Sequence, residues 1–327
     1  MPKKIRALGL LSGGLDSMLA GALLRAQGLE VTFICFVTPF YGAERARESA
    51  AHLDLPLMVA DLTEKFEPLL YEPPHGFGRG HNPCIDCHAL MIREAGSVMA
   101  AAGFDLVFTG EVLGQRPMSQ NRGSLNLVAR ESGLGEWLLR PLSARLLKTT
   151  RPEILGWVDR ERLLNLSGRG RKRQIALAAA YGISRYPAPA GGCLLTDPGY
   201  ALRLKELLRQ AGRAGRRDLE LLRWGRHFRL SGVAKAVVGR TQRENEALAG
   251  LAGPEDHRLT VEGHPGPLVL VIGQAGDGEL QEAAGLAAAY SDAPLAAAVR
   301  VSVAGPGLAS VLHLNTPPKD RFQDLLI

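Results

Sequence analysis

The sequence predicts an α/β protein with a doubly wound, mostly parallel sheet, joined to a smaller C-terminal α+β domain. In the first part of the chain, short runs rich in Val, Ile, Leu and Phe alternate with amphipathic stretches of helical period. Such alternation is typical of parallel strands joined by crossover helices, with ligands at the carboxyl ends of the strands. After Gly192-Cys193-Leu194-Leu195-Thr196-Asp197-Pro198 the pattern changes. Because 327 residues exceed the usual size of one domain, we predict two domains, 1–200 and 201–327.

The apolar runs of the first domain lie between turn residues, which predicts short buried strands. These strands are Ile5–Leu11, Val31–Val37, Pro56–Ala60 and Leu106–Thr109. Helices are predicted between them at 17–28, 43–53 and 88–102, and a Gly/Pro-rich loop over 72–83 leads into the last one. In the second domain, a basic helix at 201–211 precedes five predicted strands and two helices, namely Ala234–Val238, His257–Glu262, Pro267–Ile272, Ala297–Val303, Val311–Asn315, 241–252 and 278–289.

Composition argues against a membrane protein. Hydrophobic residues make up 46% of the chain and charged residues 22%, which is ordinary for a globular protein. No run approaches the roughly 18 apolar residues of a membrane span. The chain runs from Met1 almost directly into the first predicted strand. We therefore expect no signal peptide, no membrane partner and a cytoplasmic location.

The net charge of +6 is unevenly distributed along the chain. Residues 140–173 hold ten basic and three acidic side chains, and residues 201–245 hold twelve against four. Such segments indicate a polyanion-binding surface, although solvated helix faces would give the same pattern. Residues 246–327 hold four basic and ten acidic side chains, so we expect any polyanion-binding face from the front half of the second domain.

A glycine-rich loop, Ser12-Gly13-Gly14-Leu15-Asp16-Ser17, lies between the first predicted strand and the first helix. Paired glycines allow a sharp turn and a close approach to an anion, and the following helix start offers free N–H groups. The hydroxyls of Ser12 and Ser17 add donors, and Asp16 offers a carboxylate for Mg²⁺. No lysine follows the glycines, which excludes a Walker-type loop. The alternative is an ordinary turn that happens to be rich in Gly and Ser.

This loop resembles the S-G-G-x-D-S loop of the PP-loop ATP pyrophosphatases. The resemblance implies an adenine nucleotide alpha hydrolase-like fold and cleavage of ATP between the α and β phosphates. It also implies that the departing pyrophosphate is held by Ser12, Gly13, Gly14, Asp16 and Ser17. Members of this family adenylate a substrate oxygen so that a nucleophile can replace it.

The chain has four cysteines, too few and too scattered for the disulfide framework of a secreted protein. Cys35 lies inside an apolar strand, which predicts a buried structural thiol. Cys84 and Cys87 stand three positions apart where a loop becomes a helix, and a helix N-terminus favours the thiolate. Cys193 follows two glycines, which we expect to expose its side chain at a turn.

Three of these thiols allow several kinds of site. They make a structural zinc site only if His81 or His88 supplies a fourth ligand. They also fit a [4Fe–4S] cluster held by three thiolates with one open iron. A third interpretation is a catalytic pair in which one cysteine carries a persulfide and another resolves it. The residues alone leave these alternatives open.

Two further motifs resemble enzymes that thiolate tRNA. Asn82-Pro83-Cys84-Ile85-Asp86-Cys87-His88 resembles the tRNA-specific 2-thiouridylases, which implies that Cys87 and Cys193 are catalytic. The segment 109–120 resembles the T-G-[ED]-x-L-G-Q-x-x-S-Q segment of tRNA 4-thiouridine synthetases. That likeness implies that nucleotide or target base is lined by Thr109, Gly110, Gln115 and Ser119. The match covers about residues 1–200 and indicates PP-loop tRNA thiolases as a class rather than either branch.

The resemblance implies an ATP-dependent tRNA sulfurtransferase that adenylates a uridine carbonyl and replaces its oxygen by sulfur. Members with three such cysteines use a [4Fe–4S] cluster, here on Cys84, Cys87 and Cys193, to carry hydrosulfide. In the alternative, Cys87 carries a persulfide and Cys193 releases it. Asp86 is a proton shuttle or, equally, a helix cap. The sulfur donor, hydrosulfide or a persulfide carrier, and a homodimer both stay open.

RNA contacts are expected from both parts of the chain. Residues 237–248 resemble a signature of the RNA-binding module of NFACT-type proteins. The basic segments 140–173 and 201–229 would grip tRNA phosphates, with Arg169, Arg171, Lys172 and Arg173 among the contacts. Two other functions explain less of the sequence. An amide-forming ligase on the same loop leaves the cysteines without a role, and an RNA-binding scaffold leaves Asp16 and Ser17 without one.

Overall fold

The chain folds into two compact units. The computed structural model describes residues 3–78, 80–116, 118–188 and 193–327, and its contacts separate unit 1, Met1–Thr196, from unit 2, Asp197–Ile327. Gly191 and Gly192, which precede Cys193, and Pro117 lie outside the described residues. Within the described ranges, every helix is too short or too polar to cross a bilayer.

Unit 1 contains a five-stranded sheet in which every pair of neighbours is parallel. Its spatial order is β3-β2-β1-β4-β5. The strands are β1 (Arg6–Leu10), β2 (Glu30–Val37), β3 (Leu57–Asp61), β4 (Leu106–Phe108) and β5 (Leu138–Leu139). The predicted doubly wound parallel sheet is thus confirmed. β5 was absent from the prediction because two residues are too few to show a strand pattern.

Helices cover both faces of this sheet. They are α1 (Leu15–Ala26), α2 (Glu44–Leu53), α3 (Thr63–Phe66), α4 (Cys84–Ala102), α5 (Arg122–Glu131), α6 (Arg151–Ile154) and α7 (Lys172–Ala180). α1 and α2 share one buried cluster with Phe33 and Phe108. α4 contacts β1 and β4 outside that cluster and buries Ala89 and Ile92. Alternate residues of each strand therefore face different helices, as period-two side chains require.

α4 begins four residues earlier than the sequence predicted. Its first residue is Cys84, so Cys84 and Cys87 both lie in the first turn rather than in the preceding loop. Pro83 stands immediately before it, which suits a helix start because proline has no N–H to leave unpaired. The helix ends at Gly103, whose φ of 71° lies in the left-handed region that glycine adopts readily.

Unit 2 is an antiparallel sheet with helices. Six strands lie in the order β11-β10-β8-β9-β7-β6. They are β6 (Arg226–Arg229), β7 (Ala234–Val238), β8 (His257–Val261), β9 (Val269–Gly273), β10 (Ala298–Gly305) and β11 (Leu308–Asn315). The helices are α8 (Pro198–Ala211), α9 (Arg216–Leu221), α10 (Gln242–Leu251) and α11 (Asp277–Ala289). The α+β class is confirmed, and β6, a short strand rich in basic residues, is an addition to the prediction.

The sheet of unit 1 determines where its functional segments meet. Segments 12–17, 38–41 and 109–120 follow the carboxyl ends of β1, β2 and β4, which are neighbours in the sheet. Parallel strands end at one common edge, so these three segments share it. The motifs found in the sequence are therefore adjacent in space.

Candidate nucleotide and cysteine site

The glycine loop after β1 is a tight turn with little free space around it. Gly13 has a φ of 79°, and a Cβ on it would lie 2.6 Å from the backbone of Arg45. Gly13 therefore cannot be replaced without strain. Its carbonyl accepts a hydrogen bond from Ser49 Oγ at 3.0 Å. The loop's shape is thus fixed from the neighbouring helix α2.

The two serines of the loop differ from each other. Ser12 is exposed, and its hydroxyl is available to a ligand. Ser17 is buried, and its Oγ donates to the carbonyl of Gly14 at 2.8 Å. Because α1 begins at Leu15, Asp16 and Ser17 lie in its first turn. The Ser17 hydroxyl therefore stabilises the turn, and the expectation that it is a spare donor needs that correction.

Asp16 is a carboxylate with one oxygen satisfied and one unsatisfied. Its Oδ2 accepts a hydrogen bond from Gln115 Nε2 at 2.8 Å. Its Oδ1 is buried and has no hydrogen-bond partner among the described residues. Burial raises the pKa of Asp16, opposed by the hydrogen bond from Gln115 and by the charges of Arg171 and Arg116. An unsatisfied carboxylate oxygen with this chemistry is suited to Mg²⁺, which prefers oxygen ligands.

The segment after β4 packs directly against this loop. A Cβ on Gly110 would lie 2.4 Å from the backbone nitrogen of Ser17, so only glycine fits there. Gln115 reaches Asp16, as described above. Thr109 is buried and donates from Oγ1 to Glu111 at 3.1 Å, and Ser119 is buried as well. The structure thus brings Gly110 and Gln115 to the glycine loop, whereas Thr109 points its hydroxyl into the protein interior.

Glu111 is the centre of a buried ionic network that sequence reasoning did not identify. Its carboxylate accepts a hydrogen bond from Arg140 Nε at 2.7 Å, and His88 Nδ1 lies 3.1 Å from its other oxygen. Both Glu111 and Arg140 are buried. Although burial opposes ionisation, Arg140 and His88 hold the pKa of Glu111 far below its usual range. The available signal was Arg140 itself, a charged residue between apolar Leu139 and Pro141-Leu142.

Three cysteines of unit 1 are electrostatic neighbours. The charges of Cys193 and Cys84 both affect Cys87, and that of Cys84 affects Cys193. Tyr41, in the segment after β2, has its hydroxyl 3.8 Å from Cys87 Sγ. Leu194 N donates to Phe40 O at 3.1 Å, which ties the segment after Cys193 to the same place. Cys35 is separate, buried in β2 with 4% of its surface exposed, as predicted.

The expectation of reactive thiolates is wrong for the described structure. Burial, and then the neighbouring Cys193, raise the pKa of Cys87 to about 12. Burial likewise raises the pKa of Cys193 to about 11, and its side chain is partly buried rather than exposed. A helix N-terminus lowers a thiol pKa only where water or a cation also supports the charge. These thiols are therefore protonated at neutral pH unless a cation joins them.

Cysteine thiols are the type of donor that an iron–sulfur cluster requires. Thiols that raise each other's pKa are the ones a bound cation would convert to thiolates. Within the described part of the chain, no group of three or more His, Cys, Asp or Glu side chains already has a metal-holding arrangement. The two histidines considered for zinc have other partners. His81 Nε2 lies 2.7 Å from Leu70 O, and His88 contacts Glu111.

Asp86, between the two thiols, is paired with a histidine. His75 Nδ1 lies 2.7 Å from Asp86 Oδ1, and the backbone N–H of His75 donates to Oδ2 at 3.1 Å. Asp86 makes no capping bond at the start of α4, so the helix-cap interpretation is wrong. The carboxylate instead fastens the Gly/Pro-rich loop to the cysteine helix. His75 was missed because eleven residues separate it from Asp86 without any recognisable motif.

The charge of Arg116 affects both the glycine loop and one of the cysteines. Its charge lowers the pKa of Asp16 and also that of Cys193, against the effect of burial in each case. Arg116 is exposed. The segment after Cys193 is bonded to Phe40, which follows β2, and the glycine loop follows the neighbouring strand β1, so both lie at the same edge of the sheet.

The basic segments have fewer free cations than their formal charge suggests. Arg140 is buried and forms an ion pair with Glu111, so it cannot bind a phosphate. Arg160 forms an ion pair with Glu153. In unit 2, acidic partners are likewise bound by Arg216, Arg217, Arg229 and Arg240. Exposed side chains remain at Arg169, Lys172 and Arg173.

Cations lie over aromatic rings in unit 2. Arg223 and Arg243 stand 5.9 and 5.8 Å from the ring of Trp224. Arg226 and Lys319 stand 5.0 and 5.4 Å from the ring of Tyr290. Paired cations beside a flat ring can contact both a phosphate and a base. Sequence counting had shown the arginines but not the rings beside them.

Two known families match parts of the chain and bear on the resemblances noted in the sequence. Residues 3–146 match the family described as thiamine biosynthesis protein (ThiI). Residues 225–322 match the family described as NFACT protein RNA binding domain. The first part of the chain is therefore similar to ThiI and the second part to the NFACT RNA-binding domain, and these predicted resemblances are confirmed.

Relatives come from both branches of tRNA thiolases. The probable tRNA sulfurtransferase of Methanosarcina acetivorans is 33% identical over 114 residues, which is 32% of this chain and 27% of that protein. The tRNA-specific 2-thiouridylase MnmA of Streptomyces avermitilis is 31% identical over 132 residues, 33% of this chain and 34% of that protein. The chain thus spans about a quarter to a third of the length of these relatives. A crystal structure of a 4-thiouridine synthetase–RNA complex with bound ATP overlaps 66% of this chain and 52% of its own, with 22% identity and a TM-score of 0.38.

Proposed function

We propose that the protein is an ATP-dependent tRNA sulfurtransferase that replaces a uridine carbonyl oxygen by sulfur. One observation carries the proposal: the segment after β2 lies beside the glycine loop after β1 and contacts both Cys87 and Leu194, which supports a single site for phosphates and thiols. The family matches and the relatives named as tRNA sulfurtransferase and 2-thiouridylase support the same chemistry. The protein would act on tRNA in the cytoplasm.

The first step activates the base. The uridine oxygen attacks the α-phosphorus of ATP, the bond to the β-phosphate breaks, and pyrophosphate leaves. Gly13, Gly14 and the start of α1 would hold the pyrophosphate through backbone N–H groups and the helix dipole. Ser12 would add its exposed hydroxyl. Asp16 would orient Mg²⁺ through its unsatisfied Oδ1, and the metal would neutralise developing charge on the phosphates.

The second step replaces oxygen by sulfur. A sulfur nucleophile attacks the activated ring carbon, and AMP leaves with the former uridine oxygen. Cys84, Cys87 and Cys193 would hold a [4Fe–4S] cluster, which would supply a binding place for hydrosulfide. Tyr41, 3.8 Å from Cys87, would hold that side chain in place, and Asp86 would anchor the loop that carries His75.

RNA would be bound by both units. In unit 1 the exposed Arg169, Lys172 and Arg173 would contact tRNA phosphates. In unit 2 the family match supports RNA binding, and the cations around Trp224 and Tyr290 offer contacts to phosphate and base. Phosphate contacts release counterions, so affinity should fall steeply with salt.

Product analysis tests the reaction class. The purified protein is incubated with ATP, Mg²⁺, sulfide and unmodified tRNA, and nucleotides and tRNA nucleosides are separated. We expect AMP and pyrophosphate in proportion to thiouridine formed. ADP as the principal product, or AMP formation with an acidic small molecule in place of tRNA, would contradict the proposal and indicate a kinase or a ligase.

Cysteine variants separate the cluster from the persulfide. After anaerobic purification, Cys84→Ala, Cys87→Ala and Cys193→Ala should each lose bound iron, bound sulfide and thiolation together. Cys35→Ala is the control, because Cys35 lies buried in β2 away from the site, and it should retain all three. If Cys84→Ala keeps full thiolation while the other two lose it, a Cys87 persulfide resolved by Cys193 is the mechanism instead.

A further inference from the structure

The glycine loop has no basic side chain of its own. Residues 12–17 comprise only Ser, Gly, Leu and Asp. The backbone N–H groups and the dipole of α1 supply partial positive charge at this place. A triphosphate carries several full negative charges, and Walker-type loops meet them with a lysine. Apart from Mg²⁺, a full positive charge at this loop has to come from another part of the chain.

Helix α7 brings such a charge to the loop. Arg171 stands at its N-terminal end, and α7 packs against α1. The charge of Arg171 lowers the pKa of Asp16, against the effect of burial. Gln174, one turn further along α7, is 1% exposed, so this end of the helix is packed inside the protein. Arg171 is thus held beside the loop although 155 positions separate it from Asp16.

Arg171 also has unused hydrogen-bonding capacity. Its Nε is buried and has no partner among the residues that the structure describes. A buried donor without an acceptor is costly, and an anion with several oxygens would satisfy it. Its neighbour Arg173 differs, because Arg173 is exposed and donates to Asn165 Oδ1 at 2.8 Å.

We propose that Arg171 binds the β and γ phosphates of ATP and retains the pyrophosphate product. This inference rests on the proposed function and assigns to Arg171 the role that the lysine has in Walker-type loops. A guanidinium presents several donors in one plane and matches phosphate oxygens in pairs. The assignment separates Arg171 from Arg169, Lys172 and Arg173, with which the sequence had grouped it as a tRNA contact.

Calorimetric binding of three ligands tests the assignment. ATP, inorganic pyrophosphate and AMP, each with Mg²⁺, are titrated into the wild-type protein, Arg171→Gln and Arg130→Gln. Arg130 is the matched control, since it is an exposed arginine beside Glu131 on α5 and its replacement by Gln removes the same charge. We expect Arg171→Gln to weaken pyrophosphate and ATP by about tenfold to a hundredfold while AMP changes less than about twofold. Arg130→Gln should leave all three affinities unchanged.

The pattern across ligands distinguishes the outcomes. Equal loss of AMP and pyrophosphate affinity in Arg171→Gln would mean a structural role and would overturn the assignment, as would unchanged affinity for all three. If the wild-type protein binds none of the three ligands, the proposed function fails instead. Arg171→Lys keeps the charge but not the paired donors, and it should recover part of the pyrophosphate affinity. Should Arg171→Gln fail to fold, the affinities of Arg171→Lys for pyrophosphate and for AMP are compared in the same way and decide the question.

Discussion

The segments after β1 and β4 each carry one acidic side chain, and the two carboxylates have opposite surroundings and opposite pKa shifts. The carboxylate of Glu111, after β4, is contacted by Arg140, His88 and Thr109. Arg140 and His88 hold its pKa far below the usual range. The carboxylate of Asp16, after β1, accepts a hydrogen bond from Gln115 on one oxygen, and its other oxygen has no partner among the described residues. Burial raises the pKa of Asp16. The two segments touch, because Gly110 lies against the backbone of Ser17.

The difference shows how a fully bonded segment around Glu111 can support a neighbouring segment in which Asp16 is free to bind a ligand. A buried charge with every oxygen satisfied stabilises one arrangement and has no capacity left for a ligand. A carboxylate with a free oxygen is costly to the fold until a ligand arrives. We infer that the Glu111 network fixes the segment that positions Gln115, while Asp16 remains available to a cation.

The largest effect expected from this comparison is on stability. Glu111→Gln leaves Arg140 as an unpaired buried cation, which should cost about 3–5 kcal/mol in the free energy of unfolding. Urea unfolding monitored by circular dichroism measures it. Asp16→Asn, which removes a carboxylate whose ionisation is opposed by burial, is the comparison variant and should be at least as stable as wild type. Similar losses in both variants would remove the distinction between the two segments.

The second effect is on activity. Here we expect the larger loss from the change at Asp16 rather than from the change at Glu111. Asp16→Asn should lower the rate of AMP formation by about a hundredfold or more, because a neutral amide binds Mg²⁺ weakly and leaves phosphate charge unneutralised. The rate is measured at saturating ATP over a range of Mg²⁺ concentrations. Partial recovery at high Mg²⁺ would support a ligand role. Wild-type rates at every Mg²⁺ concentration would exclude Asp16 from the reaction.

The pH dependence of stability should also have opposite signs at the two carboxylates. The folded pKa of Glu111 is lowered, so its contribution is present above the unfolded value of about 4.3 and is lost as pH falls through the folded value. The stability deficit of Glu111→Gln should therefore shrink below about pH 4. The folded pKa of Asp16 is raised, so its ionisation destabilises the fold as pH rises above about 3.9. Asp16→Asn should gain relative to wild type over that rise, and a parallel pH profile for both variants would contradict the pKa directions.

Local patterns in the sequence were sufficient for the sheet and the glycine loop. Four of the five parallel strands were predicted within one or two residues, because each is an apolar run between turn residues. The grouping of Cys84, Cys87 and Cys193 followed from motifs at strand and helix ends. The lowered thiol pKa predicted for Cys87 is not found, because burial and the neighbouring Cys193, which local sequence does not reveal, raise it.

Contacts between distant residues could not be predicted in the same way. Arg171 resembles its basic neighbours in sequence, and only the packing of α7 on α1 separates it from them. His75 and Asp86 meet across a loop without a motif. Arg140 offered a weak signal, a charge within an apolar run, but its partner Glu111 lies 29 positions earlier.

The smallest expected effect concerns the exposed cations near these two carboxylate segments. Arg169 is exposed, so Arg169→Gln should weaken tRNA binding only about twofold to tenfold at physiological salt and reduce the slope of log K against log salt by about 0.7–0.9. ATP affinity should stay unchanged, because the Arg169 side chain is exposed, whereas Arg171 has a buried, unpartnered Nε. Filter binding of tRNA at four salt concentrations measures the slope. A loss of ATP affinity in Arg169→Gln would mean that the whole 169–173 segment serves the nucleotide, and the separation of Arg171 from its neighbours would then be wrong.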